Sequence, residues 1–288
     1  MKKALKIVVL AKQVPDTRNV GKDAMTPEGT VNRAALPAIF NPEDLNALEM
    51  ALALKDETEG STVHILTMGP PRAADIIRDA MFRGADGGYL LTDRKFAGAD
   101  TLATSYALSC ALRKIRPDVI VAGRQAIDGD TAQVGPQVAE KLGWPQVTYA
   151  EELLEIKADS LVVKRRLEHG TEIVECPLPL VMTVNGSAPE CRPQNAKRVM
   201  KYKFAQTKSE IAAAPDCMAS AKAYLQIVEL AAADVDPDET QLGLVGSPTK
   251  VKKIENVVFQ AKESKRLTAA DADIESLMVE LIASHTLG

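Results

Sequence analysis

"DVIVAGRQAIDGDTAQVGPQVAEKLG", residues 118–143, decides the fold. An apolar, β-rich run enters a loop that carries glycine and two carboxylates, Asp128 and Asp130, and the loop leads into a helical pattern. Strand, glycine-bearing loop, helix is an order in which proteins present backbone N–H groups to a phosphate. The two carboxylates restrict that reading. At ~4 Å and an effective dielectric of about 20, one carboxylate–phosphate pair costs about 4 kcal/mol. A helix N-terminus returns only ~0.3–2 kcal/mol to an anion. Both aspartates therefore cannot face a phosphate, and their expected tasks are to accept hydrogen bonds from sugar or ribityl hydroxyls, backbone N–H groups or Arg124. Gly129 admits a tight turn, Thr131 is a candidate cap, and Pro136 places the helix start between Thr131 and Gly135. The loop fits a nucleotide with phosphates on backbone amides and carboxylates on the sugar. Paired catalytic acids are the second reading, but no water-activating or nucleophilic partner lies nearby.

Working outward, the same alternation recurs. "LKIVVLAK" (5–12) is a continuous strand run suited to a sheet covered on both faces. In "NPEDLNALEMALALKDE" (41–57) Asn41 is a candidate N-cap, Pro42 fits the first helical position, and Glu43 and Asp44 suit the positive helix start. Leu45, Leu48, Ala51 and Leu52 supply its apolar stripe. "TVHILTMG" (62–69) predicts a strand, 71–84 a helix closed by Gly84, "GGYLLTD" (87–93) a strand, and 98–115 a helix capped near Asp100 or Thr101. Alternation repeated this often predicts an α/β fold, a doubly wound, mostly parallel, Rossmann-like sheet. Ligands in such sheets lie beyond the carboxyl ends of the strands, at the switch point of the strand order. The candidate lining therefore falls in residues 10–12, 41–44, 67–69, 93–104 and 123–134, and within these the named candidates are Leu10, Ala11 and Lys12; Asn41 and Asp44; Met68; Asp100, Thr101 and Thr104; and Gly123, Arg124, Gln125, Ala126, Ile127, Asp128, Gly129, Asp130, Thr131, Ala132, Gln133 and Val134.

Residues 151–185 alternate polar and apolar side chains around turns at "ADS" and "EHG", which predicts an antiparallel meander extending the sheet. From Pro189 onward no sheet signal persists: residues 187–208 read as a basic, proline-broken arm, 243–257 as loop, and 268–285 as an amphipathic helix with Ile274, Leu277, Met278, Leu281 and Ile282 on one face. The expected organisation is a nucleotide-binding α/β domain over 1–188 and a C-terminal arm, extended segment and helix over 189–288.

With 288 residues and 46% hydrophobic content the chain can bury one or two cores. A net charge of −4 argues against a nucleic-acid partner. The apolar run at the start is short and broken by Lys12, and no stretch approaches ~20 apolar residues, so neither a signal peptide nor membrane insertion is expected. Cys110, Cys176, Cys191 and Cys217 show no C-x-x-C or metal spacing, as expected of a reduced, cytoplasmic protein. His64 falls in a strand pattern and is read as a packed histidine, His169 and His285 as solvated, and Trp144 as a packing residue.

"GRQAIDGDTAQVGPQVAEKLGWPQVT" (123–148) resembles the hallmark segment of the electron transfer flavoprotein β subunit. The resemblance continues at "VVLAKQVPDT", "NPEDLNALEMALALKD", "ILTMGPP" and "RRLEHGTEIVECPLPLVMT" (165–183), over about the first two-thirds of the chain. His169 departs from the last motif, where an acidic residue or glycine is usual. The resemblance implies pairing with an α subunit that carries an FAD, and electron passage between a dehydrogenase, such as an acyl-CoA dehydrogenase, and another oxidoreductase. It also implies an adenine nucleotide at the sheet switch point: AMP in ordinary members, or a second FAD that accepts hydride from NADH in bifurcating ones. "DRKFAGADTLATS" (93–105), "DGDTAQVGP", "VPDT" and "VGSPTK" are similar to the bifurcating type. By that similarity Asp100, Thr101 and Thr104 would reach the flavin's ribityl chain or ring, and residues 128–134 its pyrophosphate and ribose. The redox chemistry would belong to the flavins, not to a stand-alone enzyme.

The family's partner-recognition loop aligns with 186–204, where Ala188, Glu190, Arg192, Met200 and Lys201 are the candidate docking residues. Pro193 stands where an aromatic is expected, and Ala188 where a larger apolar residue is usual, which predicts weakened or retargeted docking to an ordinary acyl-CoA dehydrogenase. Two other classes have less support. An ATP-hydrolysing or adenylating enzyme wants a glycine-rich phosphate loop after the first strand, where this chain has "AKQVPDT" with Pro15 removing a donor. A regulatory nucleotide-binding module would retain no flavin.

Overall fold

The computed structural model describes residues 3–16, 37–249 and 266–284. The chain divides into two compact units, Met1–Lys252 and Lys253–Gly288. In the first, β1 (Lys6–Leu10) is followed by a small antiparallel ribbon of β2 (Gln13–Pro15) and β3 (Ala38–Phe40). Next come α1 (Pro42–Asp56), β4 (Thr62–Met68), α2 (Ala74–Arg83), β5 (Gly87–Leu91), α3 (Thr101–Ile115), β6 (Val119–Gly123) and α4 (Val134–Leu142). After α4 the chain forms β7 (Gln146–Ile156), β8 (Ser160–Leu167), β9 (Gly170–Pro177) and β10 (Leu180–Val184). It continues through α5 (Ala196–Tyr202), β11 (Gln206–Thr207), α6 (Lys208–Ala213), α7 (Met218–Ala221) and β12 (Gln226–Leu230).

Ten strands form one sheet in the order β11-β12-β5-β4-β1-β6-β10-β7-β8-β9, parallel throughout except across β7, β8 and β9. The expected mostly parallel α/β sheet is therefore present. The residues of β1 divide by pleat: Ile7 and Val9 enter a core with α1 and α2, Val8 and Leu10 a second core with α3 and α4. Helices thus cover both faces. The strand order reverses about β1, whose neighbours are β4 and β6. That reversal opens a crevice beyond the carboxyl ends of β1 and β6.

Two expectations are corrected. The meander ends at β9, and β10 returns to lie parallel between β6 and β7. All five of its residues are buried, so "LVMTV" is a two-face core strand rather than an edge one. The stretch after Pro189 also adds to the sheet: β12 pairs with β5 and β11 with β12. The edge strand β11 has only two residues, too few to show a period, and β12 follows an irregular arm rather than continuing the strand–helix alternation. The expected boundary at 188/189 thus falls inside the first unit. In the second unit, α8 (Asp271–Ala283) forms where the amphipathic pattern predicts, and Ile274, Met278 and Ile282 are exposed.

The expected minor roles have mixed outcomes. His169 is exposed and Trp144 packs against the α3/α4 core, while His285 lies outside the described residues. His64 packs 5.8 Å from the Tyr89 ring, and its buried Nδ1 has no partner. Burial holds its imidazole below the usual value, helped by Lys6 and Lys55 and opposed by Asp86. The unfolded chain therefore takes a proton that the folded one resists. Its contribution to stability is present above about pH 6.5 and is lost as the pH falls through the lowered folded value. The melting temperature of His64→Phe should accordingly fall less than that of the unsubstituted protein between pH 7 and pH 5. Equal falls would contradict this account.

Candidate functional site

The polar first turn of α1 forms one wall of the crevice. Asn41 occupies the N-cap position but makes no side-chain cap bond. Its Nδ2 donates to the Gln125 carbonyl (2.9 Å) and its Oδ1 accepts from the Ile127 N–H (3.1 Å). Glu43 accepts from Arg124 Nη2 (2.9 Å) and from the Gln125 N–H (3.0 Å). Asp44 accepts from the backbone N–H groups of Lys12 (2.8 Å) and Gly123 (3.1 Å), tying the ends of β1 and β6 together. Burial pushes the Asp44 carboxyl up to about 7, against the hydrogen bonds from Lys12, Asn41 and Gly123.

The loop's carboxylates are both engaged. Lys12 Nζ lies 2.8 Å from Asp128, and Asp130 accepts from Gln125 Nε2 at 2.9 Å. Arg124 pairs with Glu43 rather than with Asp128. The loop's left-handed positions are Asp130 (φ 49°) and Ala132 (φ 51°), not Gly129. Aspartate visits that region more readily than most residues. The following helix begins at Val134 with Gln133 at its N-cap and no side-chain cap bond, so Thr131 does not cap it. The N–H groups of Val134 and Gly135 face no side-chain cap and remain available to an anion, Pro136 having none to offer.

Across the crevice, Asp100 caps α3 by accepting from the Ala103 N–H (3.0 Å). Its other oxygen accepts from the Thr249 N–H (3.1 Å) and Oγ1 (2.7 Å). Partial burial raises the Asp100 carboxyl, but these bonds outweigh it and hold the group below its usual range. Ser247 Oγ accepts from the Asp100 N–H (2.8 Å) and donates to the Gly243 carbonyl (2.6 Å), so the 243–249 turn closes onto the start of α3. Thr101 Oγ1 donates to Gln133 Oε1 (2.9 Å), joining the starts of α3 and α4.

These walls enclose a cleft of about 530 Å³, within the ~300–1,000 Å³ of small-molecule sites. Every named candidate contributes to it except Asn41 and Ile127, which hold the loop from behind. Phe96, Gly98 and Ala99, from the expected 93–104 stretch, also line it, whereas Leu66, Leu108, Ala122 and Gly135 line it and were missed. Leu66, Leu108 and Ala122 read as ordinary core residues. The "VGSPTK" motif was the available sign of the 243–249 turn. Among the described residues no cluster of His, Cys, Asp and Glu could hold a metal, and no helix is long and apolar enough to cross a membrane. The four cysteines are free.

The expected docking residues divide. Glu190, Met200 and Lys201 are exposed, and Lys201 lies over the Tyr202 and Tyr224 rings at 4.7 and 5.5 Å. Ala188 is buried, and Arg192 is held by Glu49 and Asp56.

Comparison with known proteins gives a consistent result. A family model described as the electron transfer flavoprotein domain matches residues 28–232. The electron transfer flavoprotein subunit beta of Clostridium acetobutylicum is 45% identical over 86% of this chain and 87% of its own. That of Megasphaera elsdenii is 39% identical over 96% and 100%. The caffeyl-CoA reductase-Etf complex subunit CarD of Acetobacterium woodii is 49% identical over 62% and 68%.

Proposed function

The chain belongs to the electron transfer flavoprotein family as a β subunit, and from that premise we propose that it pairs with an α subunit and holds FAD in the cleft beyond β1 and β6. The pair would pass electrons between NADH or a dehydrogenase and a partner oxidoreductase by flavin-based bifurcation. The observation that carries this reading is the continuity of the cleft, from an apolar wall at Leu66, Phe96 and Leu108 to the uncapped start of α4. A planar ring system suits the first end, and a pyrophosphate the second.

When bound, FAD supplies one- and two-electron redox chemistry. The residues around it bind and orient. Lys12 offsets the charge of Asp128, which would otherwise repel a phosphate. Residues 123–134 offer backbone donors whose positions are fixed by Asn41, Glu43 and Asp44. Thr101 and Thr104 line the wall where ribityl hydroxyls would lie. The likeness to a caffeyl-CoA reductase-Etf complex subunit favours a CoA-thioester oxidoreductase, such as an acyl-CoA dehydrogenase, as partner. The exposed apolar residues of α8 suit coverage by the α subunit.

Structural AMP is the second reading. It is favoured by the concentration of the cleft's polar lining in residues 123–133 beside the uncapped start of α4, the stretch an adenosine phosphate would use. An anaerobic titration of the assembled heterodimer with NADH separates the two. Bleaching of the flavin absorbance by NADH alone is the expected result. Bleaching only by a reduced dehydrogenase would support the AMP reading.

A further inference from the structure

Helix α1 carries Asn46, Glu49 and Asp56 at i, i+3 and i+10, which puts these three on one face, with Glu43 in the first turn at the edge of that stripe. Glu43 holds the nucleotide loop, and the other three hold the segment after β10. Asn46 Nδ2 donates to the carbonyls of Ala188 and Pro189, both at 2.9 Å. Glu49 accepts from the Arg192 backbone N–H (2.8 Å), from Nε (3.0 Å) and from Nη2 (2.8 Å). Asp56 accepts from Arg192 Nη1 (2.8 Å). The Arg192 side chain is only 34% exposed and engages carboxylates of its own chain with three of its nitrogens. A guanidinium held in this way has little capacity left for a partner.

We propose that Arg192 is a positioning residue, the anchor that fixes the arm over residues 188–204 on the helix whose first turn holds the nucleotide loop. One rigid helix thereby sets both segments in register. Met200 and Lys201 are then presented from a fixed base, while Arg192 itself faces inward. This rests on the reading that the arm meets a redox partner.

The test uses Glu49→Gln, Arg192→Lys and Arg192→Met in the full chain assembled with its α subunit. Trypsin should cut after Lys197, Lys201 and Lys203 about tenfold faster in Glu49→Gln and Arg192→Met, since the charge-assisted bonds that hold the arm are lost. Arg192→Lys, which keeps the charge but not the fork, should fall between these and the unsubstituted protein. The KM for the reduced acyl-CoA dehydrogenase should rise about fivefold in Glu49→Gln, with kcat and retained nucleotide unchanged, as expected when only docking is affected. Equal cutting rates and an equal KM in Glu49→Gln would overturn the anchor. An unsubstituted heterodimer that retains no nucleotide would overturn the functional reading alone, because the cutting rates still report on the arm.

Discussion

Replacing Gly123 with alanine is expected to strip the assembled protein of its nucleotide. A Cβ at this position would lie 2.7 Å from the Glu43 carbonyl carbon and 2.8 Å from the Asp44 nitrogen, and would also press on Asp44 Oδ1. The first two are backbone atoms of α1, so no side-chain rotation relieves the contact. Either the helix start or the end of β6 must move. Overpacking of this kind costs on the order of 1–3 kcal/mol. The larger consequence is local, because Glu43 and Asp44 hold Gln125, Gly123 and Lys12. Displacing them misplaces the loop donors that the ligand would use. Ligand released on denaturation, quantified by chromatography, should fall below a tenth of the unsubstituted amount, as for a misplacement of about 1 Å at a preorganised site. Full retention would show that the Gly123–α1 contact does not shape the site.

Asp44→Ala is the second large effect. Its carboxylate is the acceptor for two backbone N–H groups at the ends of adjacent strands. Removing it leaves the buried Gly123 donor unpaired, at about 1–3 kcal/mol, and the part-buried Lys12 donor to solvent at a smaller cost. Asp44→Asn keeps one acceptor oxygen and should be milder. The pH dependence carries a sign. The folded carboxyl is raised to about 7 from 3.8, so its contribution to stability is fully present below about pH 3.8 and is lost as the pH rises through about 7. Between pH 5 and 8 the stability of Asp44→Asn, measured by denaturant unfolding, should therefore decline less than that of the unsubstituted protein. A parallel decline would mean that Asp44 does not titrate in this range.

Much of this arrangement is legible in the sequence. The alternation of strand and helix patterns locates the parallel core, and the switch-point rule brings β1, β4, β6 and the starts of α3 and α4 to one crevice. The individual partners are less legible. Asn41 reads as a cap because capping is local, but Gln125 and Ile127, more than eighty residues away, claim its amide. Asp128 and Asp130 look hostile to phosphate until Lys12 and Gln125 are brought beside them. Arg192 reads as a partner-docking residue because nothing in its neighbourhood announces Glu49 and Asp56 on a distant helix. The edge strand β11 is too short to show a period, β12 stands apart from the strand–helix alternation behind an irregular arm, and β10 is hidden within a run that reads as a meander.

The most direct test of the central claim is the nucleotide content of the heterodimer, assembled with its α chain and denatured to release its ligands. Two FAD and no AMP per heterodimer are expected, one flavin in each subunit. One FAD and one AMP would contradict the claim, and would leave this chain as the structural nucleotide holder of a single-flavin electron shuttle.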